Sequence, residues 1–185
     1  LEEVLRQDVV TLHAPLTRSG SFPTYHMLDA NRLENLKQGA VLINAARGAI
    51  IDNQALDRLL DSRTDLTVVL DVWEDEPCIH KQLVQKVSIA TPHIAGYSLK
   101  GKISATEMVY NSFCSAFALD PETIISMQQP IHLVPPESAN DASIISELLL
   151  QAYPIQDDEL KENIKTDNKE AAESFEWKRN NYRFR

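Results

Sequence analysis

Short apolar runs alternate with amphipathic segments along the first two thirds of the chain. Uninterrupted aliphatic and β-branched runs of this kind, separated by helical segments, are typical of strands buried on both faces of a parallel sheet. The pattern predicts an α/β fold, the second half of a doubly wound, Rossmann-like parallel sheet. Its strands are expected at residues 8–12, 40–44 and 66–71, with a short last one within 84–91.

Helical periodicity fills the segments between and after these runs. Asp29 is a predicted N-cap for a short helix that reaches Lys37, and Asp52 caps a second helix with an apolar stripe. In both cases a carboxylate can accept the unpaired amides of the first helical turn. Longer helical patterns cover residues 99–119, 141–153 and 169–185.

A break in the pattern after Leu119 predicts a second domain. Asp120-Pro121 interrupts the helix, and a stretch rich in Gln and Pro follows, with one predicted strand at residues 131–134. We therefore expect part of a nucleotide-binding domain over residues 1–119 and a small, incomplete α+β domain over 120–185. No G-x-G-x-x-G phosphate loop occurs. Such a loop follows the first strand of a doubly wound domain, so we expect the first half of the domain to precede Leu1.

Composition excludes several classes of protein. A net charge of −9 over 185 residues argues against a general nucleic-acid-binding surface. No apolar run approaches the roughly 18 residues that a membrane span needs, so we expect no membrane partner. Cys78 and Cys114 cannot build a disulfide framework and are typical of a reducing compartment, here the cytoplasm. No two His or Cys residues stand at ligand spacing, and we expect no metal site.

Three ionisable residues follow three successive predicted strands. They are Arg47, Glu76 and His93, separated by 29 and 17 residues along the chain. The carboxyl ends of parallel strands line the ligand crevice of such a sheet, so these side chains are expected to meet there. Taken singly, each is more often a solvated or structural residue. A cation, a carboxylate and an imidazole at equivalent positions favour a catalytic site.

The motifs that carry these residues resemble a known family. Asn44-Ala45-Ala46-Arg47-Gly48, then Leu70 to Pro77, then Thr91 to Gly96 occur in the order and spacing of the D-isomer-specific 2-hydroxyacid dehydrogenases. The resemblance covers about residues 1–119. It implies oxidation of a 2-hydroxy acid by transfer of a hydride to NAD.

The family resemblance gives each residue a role that suits its chemistry. His93 would be the general base, because an imidazole titrates near working pH. Glu76 would orient that ring and favour the imidazolium. Arg47 would bind the substrate carboxylate with a bidentate fork that Lys could not copy. Tyr97 would also contact the substrate, and the residues implied at the cofactor are Ala14, Ala45, Ala46, Arg47, Asp71 and Gly96.

Some of these roles have structural alternatives. Asp71 could be a helix-cap or turn residue, and Tyr97 a packed ring with a hydrogen-bonded hydroxyl. Ala14 stands where many members of the family have a hydroxyl residue. His13 is a less favoured candidate for the cofactor, and His26, His80 and His132 are interpreted as surface or packing residues. Lys100 and Lys102 could attract a substrate phosphate, but a solvated face is the preferred interpretation.

Within the family, the run from His93 to Lys102 and the tail from Phe175 to Tyr182 resemble members that act on a phosphorylated hydroxy acid. Such members carry an additional C-terminal dimerisation domain, so we expect residues 120–185 to support a homodimer. Two other functions stay open: another D-2-hydroxyacid dehydrogenase, or a non-catalytic NAD(H)-sensing protein of the same fold. The choice between NAD and NADP depends on residues expected before Leu1.

Overall fold

A computed structural model of the chain describes residues 1–121, 133–134, 140–162, 164 and 168–182. Four parallel strands form one sheet in the order of the chain: β1 Val9–Leu12, β2 Val41–Asn44, β3 Thr67–Leu70 and β4 Ile89–Ala90. The helices are α1 Glu2–Leu5, α2 Ala30–Glu34, α3 Asn53–Leu59, α4 Lys81–Lys86, α5 Leu99–Ala116, α6 Asp141–Ala152 and α7 Asn168–Asn181. Two 3₁₀ turns occupy Gly48–Ile50 and Ile155–Asp158. The predicted α/β fold with a parallel sheet is confirmed.

The register of the sheet aligns the ends of its strands. Leu12 lies beside Asn44, Asn44 beside Leu70, and Leu70 beside Ala90. The buried strand side chains alternate along each strand and share one face, so the expectation of strands buried on both faces is wrong for the described sheet. The apolar side chains among them form one buried cluster with apolar residues of the flanking helices. Because parallel strands share a direction, the segments that follow all four strands leave the sheet at the same edge.

The predicted helix caps are present, and the structure adds one helix that the sequence did not predict. Asp29 and Asp52 each accept an amide hydrogen bond from the first turn of α2 and α3. The short last strand predicted within 84–91 is confirmed as Ile89–Ala90, and the start of that range belongs to α4, which covers residues 81–86. An apolar run this short does not separate a period of 3.6 from a period of 2, and helical geometry buries both Leu83 and Val84.

The C-terminal segment contributes to the core of the sheet. The described residues divide into two compact units, one of Leu1–Ile94 with Asp158–Tyr182 and one of Ala95–Asp157. Leu160, Ile164, Ala171 and Phe175 belong to the same buried cluster as the sheet. The bounds of these units differ from those of the predicted domains, residues 1–119 and 120–185. The division into those two domains stays a prediction.

Two further observations concern the C-terminal half. Residues 131–132 of the predicted strand 131–134 lie outside the described part, whereas Val134 exchanges two hydrogen bonds of 2.8 Å with the side-chain amide of Gln151. The predicted helices at 99–119 and 141–153 are confirmed with slightly shorter bounds, and α7 falls within 169–185 except for its first residue. No helix of the described chain has the length and apolar character needed to cross a bilayer.

Gly48 lies where two loops come closest. A Cβ atom at this position would stand 1.9 Å from the carbonyl carbon and oxygen of Trp73 and 2.5 Å from the amide nitrogen of Glu74. These neighbours are backbone atoms and cannot rotate away. Gly48 therefore allows the loop after β2 to pack directly on the turn after β3.

An ion pair joins the loops that lead into β2 and β3, at the edge of the sheet where the strands begin. Arg63 donates to both carboxylate oxygens of Asp65 at 2.9 and 3.0 Å, and to the carbonyls of Leu36 and Lys37. The Gly39 amide also donates to Asp65 at 2.8 Å. The Arg63 hydrogen bonds, followed by that amide, lower the pKa of the Asp65 carboxyl far below its ordinary range.

We predict that Gly48→Ala lowers the free energy of unfolding by about 1–3 kcal/mol or more in the full-length protein, because an added methyl group has no room. Denaturant unfolding measures the change. Gly101→Ala is the control, since the nearest atoms to its Cβ, the hydroxyl of Ser98 at 3.1 Å and the carbonyl oxygen of Gly96 at 3.3 Å, are far less close. Equal stability of wild type and Gly48→Ala would contradict the close packing.

We predict that Asp65→Asn lowers the melting temperature near pH 7 and that the deficit shrinks below about pH 4. A carboxyl whose pKa is depressed on folding stabilises the fold above its unfolded pKa, and that contribution is lost as the pH falls. Thermal melts across pH test this. The control is Glu173→Gln, which removes an exposed carboxylate whose nearest ion-pair contact is 3.9 Å. A constant deficit from pH 7 to pH 3 would exclude this ion pair as its cause.

Candidate active site

Asp71 joins the end of β3 to the segment after β4. Its buried carboxylate accepts hydrogen bonds from the Thr91 hydroxyl at 2.6 Å and from the Ile94 amide at 2.9 Å. Its carbonyl accepts the amide of His93 at 2.7 Å. These contacts fit the turn role that the sequence left open for Asp71, and its contact with a cofactor stays a prediction.

His93 and Glu76 form a hydrogen-bonded pair. The Nδ1 atom of His93 lies 2.7 Å from Oε2 of Glu76, and both side chains are partly buried. The second oxygen of Glu76 accepts the amide of Trp73 at 2.8 Å. Because the carboxylate accepts the Nδ1 proton, the neutral ring keeps its lone pair on Nε2. The geometry therefore prepares Nε2 of His93 to accept a proton.

The backbone of His93 is held in an unusual conformation. Its φ is +57°, a region that residues other than glycine seldom occupy. The hydrogen bonds that Asp71 receives from both sides of His93 define this sharp turn. Strained backbone of this kind is concentrated at functional sites.

Trp73 anchors the turn that carries Glu76. Its indole N–H donates to the carbonyl of Thr91 at 3.0 Å, and its ring is almost fully buried. The Trp73 backbone packs against Gly48 on its other side. The turn of residues 73–76 is thus held between the loop after β2 and the segment after β4.

Arg47 shares a cavity with the His93–Glu76 pair. This cavity has a volume of about 1000 Å³, and its lining includes Arg47, Trp73, Glu76 and His93. The Arg47 guanidinium donates to the carbonyl of Ala46 at 2.6 Å. No carboxylate of the described residues lies within ion-pair distance of it, so it can bind an acid from outside the chain. The structure brings together the three residues that the sequence proposed as catalytic.

The remaining predicted residues lie at the strand ends or in the second unit. Ala45 is exposed directly after β2, whereas Ala14 and Ala46 pack partly against the core. Gly96 has a φ of +80°, and Tyr97 is 54% exposed with the Lys102 ammonium 4.7 Å from its ring centroid. The assigned contacts of these residues with cofactor and substrate stay predictions.

A second histidine–carboxylate pair lines the same cavity. Nε2 of His26 lies 2.7 Å from Oε1 of Glu74, and Nδ1 lies 3.8 Å from Oδ2 of Asp52. Asn53 completes the group, which we call the His26 network: His26, Asp52, Asn53 and Glu74. The sequence interpretation placed His26 on the surface or in packing. Glu74 is 48 residues away from it, so no spacing could have indicated the contact.

Comparison with known proteins relates these features to other chains. Residues 1–95 match the family described as D-isomer specific 2-hydroxyacid dehydrogenase, NAD binding domain. An erythronate-4-phosphate dehydrogenase of Stutzerimonas stutzeri is 41% identical over 189 residues, which cover 98% of this chain and 50% of that protein. The one of Cellvibrio japonicus is 43% identical over 155 residues, 84% of this chain and 39% of that protein. The chain thus spans half or less of the length of these relatives.

Solved structures give the same relationship. The TT0316 protein from Thermus thermophilus is 34% identical with a TM-score of 0.53, covering 65% of this chain and 38% of that one. A glyoxylate reductase from Paecilomyes thermophila is 34% identical with a TM-score of 0.54, and the match covers 62% of this chain and 34% of the reductase. The family resemblance drawn from the sequence motifs is confirmed. The chain belongs to the D-isomer-specific 2-hydroxyacid dehydrogenase family.

Proposed function

We propose that the full-length protein oxidises 4-phosphoerythronate to 2-oxo-3-hydroxy-4-phosphobutanoate with NAD, a step of pyridoxal 5′-phosphate biosynthesis. The observation that carries the reaction type is the 2.7 Å contact between His93 and Glu76 in one cavity with Arg47. The substrate is inferred from the relatives, which are erythronate-4-phosphate dehydrogenases. The homologous NAD-binding domain supports the choice of cofactor.

In this proposal His93 removes the proton of the substrate hydroxyl. The C–H bond at the same carbon breaks as a hydride leaves, and the C–O single bond becomes a carbonyl. Nε2 of His93 accepts the proton, since Nδ1 is engaged by Glu76 at 2.7 Å. Glu76 keeps the ring in the correct tautomer and stabilises the imidazolium that forms.

Arg47 holds the substrate for this step. Its exposed guanidinium can donate two parallel hydrogen bonds to the substrate carboxylate, which fixes the reacting carbon relative to His93. The residues after β2 suit a flat ring, because Ala45 is exposed and has no side chain beyond Cβ. Bound NAD supplies the hydride acceptor.

We also propose that the protein is a cytoplasmic homodimer. Both thiols, Cys78 and Cys114, are free, which suits a reducing compartment. Ile145 and Leu149 of α6 are 58% and 64% exposed. Exposed aliphatic side chains one helical turn apart favour an interface, and a second copy of the chain is the proposed partner.

The direct test is to mix full-length protein with 4-phosphoerythronate and NAD and to follow reduced nicotinamide by absorbance. We expect turnover, with a far higher kcat/KM than for D-lactate or D-glycerate, which lack the phosphate. Preference for an unphosphorylated acid would indicate another dehydrogenase of the family. Binding of NAD in calorimetry without turnover of any 2-hydroxy acid would support the sensing protein instead.

In that assay we predict that His93→Ala and Arg47→Ala fail differently. Loss of the base should lower kcat by about 10²–10⁴-fold with NAD affinity unchanged. Loss of the guanidinium should raise KM for the acid by about 10- to 100-fold, since a charged hydrogen bond is worth about 1.5–3 kcal/mol. Arg58→Ala, at an exposed position of α3, is the control for loss of a positive charge. Near wild-type turnover of His93→Ala would exclude His93 as the base.

The proposed interface predicts that Ile145→Asp with Leu149→Asp converts a dimer into a monomer. Two charges would have to lose water at the contact. Light scattering measures the mass, and circular dichroism checks that the fold is retained. Ser146→Asp adds a charge at a polar exposed position of the same helix and should stay dimeric. Unmodified protein that is already monomeric at micromolar concentration would contradict the proposal.

A further inference from the structure

We propose that His26 is a positioning residue for the reaction. Through the His26 network it holds the turn of residues 73–76, and thereby keeps the Glu76 carboxylate against His93. The inference rests on the proposed dehydrogenase function and adds a residue that the Arg47, Glu76 and His93 set does not include.

Glu74 is held by both its side chain and its backbone. Its Oε1 pairs with Nε2 of His26 at 2.7 Å, and its Oε2 accepts the Asn53 amide at 3.3 Å. The Glu74 amide donates in return to Oδ1 of Asn53 at 3.1 Å. Asn53 is itself buried and donates to the Ile51 carbonyl at 2.9 Å. The turn is therefore attached to the first residue of α3.

His26 is fixed from its own side of the cavity. Its amide donates to the Ala49 carbonyl at 2.8 Å, and its ring stacks on Tyr25 with centroids 4.0 Å apart. Its φ is +48°, in the same seldom-occupied region as that of His93. A ring held in this way is a rigid partner for Glu74, which a solvated histidine would not be.

The His26 network acts on Glu76 through Glu74 and Trp73, which are adjacent in the chain. Glu74 follows Trp73, whose amide donates to Oε1 of Glu76 at 2.8 Å. The other oxygen of Glu76 pairs with His93. A shift of the backbone at residues 73–74 would therefore turn the carboxylate away from the imidazole. Misplacements of about 1 Å can cost up to about 10²-fold in rate.

The hydrogen-bond geometry argues against a metal ion in the network. His26, Asp52 and Glu74 offer ligand atoms within 4.8 Å of one another, the one such group among the residues described. The two nearest atoms are 2.7 Å apart, and two ligands of a tetrahedral zinc with bonds of about 2.0–2.1 Å stand about 3.3 Å apart. The short contact is that of a charge-assisted hydrogen bond.

The test compares His26→Leu with His26→Gln in the full-length protein. Leucine removes the donor, and kcat for 4-phosphoerythronate should fall about 10-fold with KM within about twofold. Glutamine can still donate to Glu74 and should restore kcat to within about threefold. His80→Leu is the matched control, because it removes an imidazole that lines the same cavity and whose Nδ1 has no hydrogen-bond partner in the described part. Loss of kcat beyond about 10³-fold in both His26 variants would mean direct catalysis and overturn the proposal.

A double-mutant cycle tests whether His26 acts through Glu76. In a Glu76→Gln background, His26→Leu should change kcat by less than about twofold, because the interaction that it protects is already weakened. Independent, multiplying effects of the two substitutions would overturn the proposal.

A spectroscopic measurement separates this inference from the proposed function. In protein labelled with ¹⁵N-histidine, the downfield Nδ1–H resonance of His93 is assigned by its loss in His93→Ala. It should shift upfield or broaden in His26→Leu and be retained in His26→Gln and His80→Leu. An unchanged resonance in His26→Leu would overturn the positioning role, whichever substrate the protein turns over.

Discussion

The site depends on the parallel register that ends four strands at one edge. Leu12, Asn44, Leu70 and Ala90 lie side by side, so the residues that follow them start from neighbouring points. Backbone hydrogen bonds set that register, and a slip of one residue would move the buried side chains of a strand to its more exposed face. A cation from one loop, a carboxylate from the next and an imidazole from the last can then line one cavity, because the sheet already places the three loops side by side.

Apolar packing and hydrogen bonding have different tasks in this chain. The buried cluster places the segments, and it includes Phe175 and Leu160 from a part of the sequence far from the sheet. Hydrogen bonds then orient the polar side chains. Glu76 illustrates the second task, since one oxygen accepts a backbone amide and the other pairs with His93. A partly buried carboxylate with both oxygens engaged has little freedom to rotate, which suits a group that must hold an imidazole ring.

The loop after β2 and the turn that carries Glu76 are in direct backbone contact. The absent side chain of Gly48 lets the loop after β2 lie on the Trp73–Glu74 backbone. On the far side, the Trp73 indole reaches the end of β4. The turn that carries Glu76 is thus fixed on two sides by contacts that do not involve the reacting groups. In the proposed function, this geometry would serve the removal of a hydroxyl proton beside a bound carboxylate.

The sequence by itself determined the fold class, the strands and the residues of the proposed catalytic set. Runs of apolar residues mark the strands, and ionisable residues at their ends stand out against them. Only the tertiary structure decided which segments meet. The contact of His26 with Glu74, the helix at 81–86 and the packing of Phe175 in the sheet unit all depend on this. Such contacts join residues that are distant in the chain or choose between two periodicities of one short apolar run. They are determined by tertiary packing, which cannot be read from the local sequence pattern.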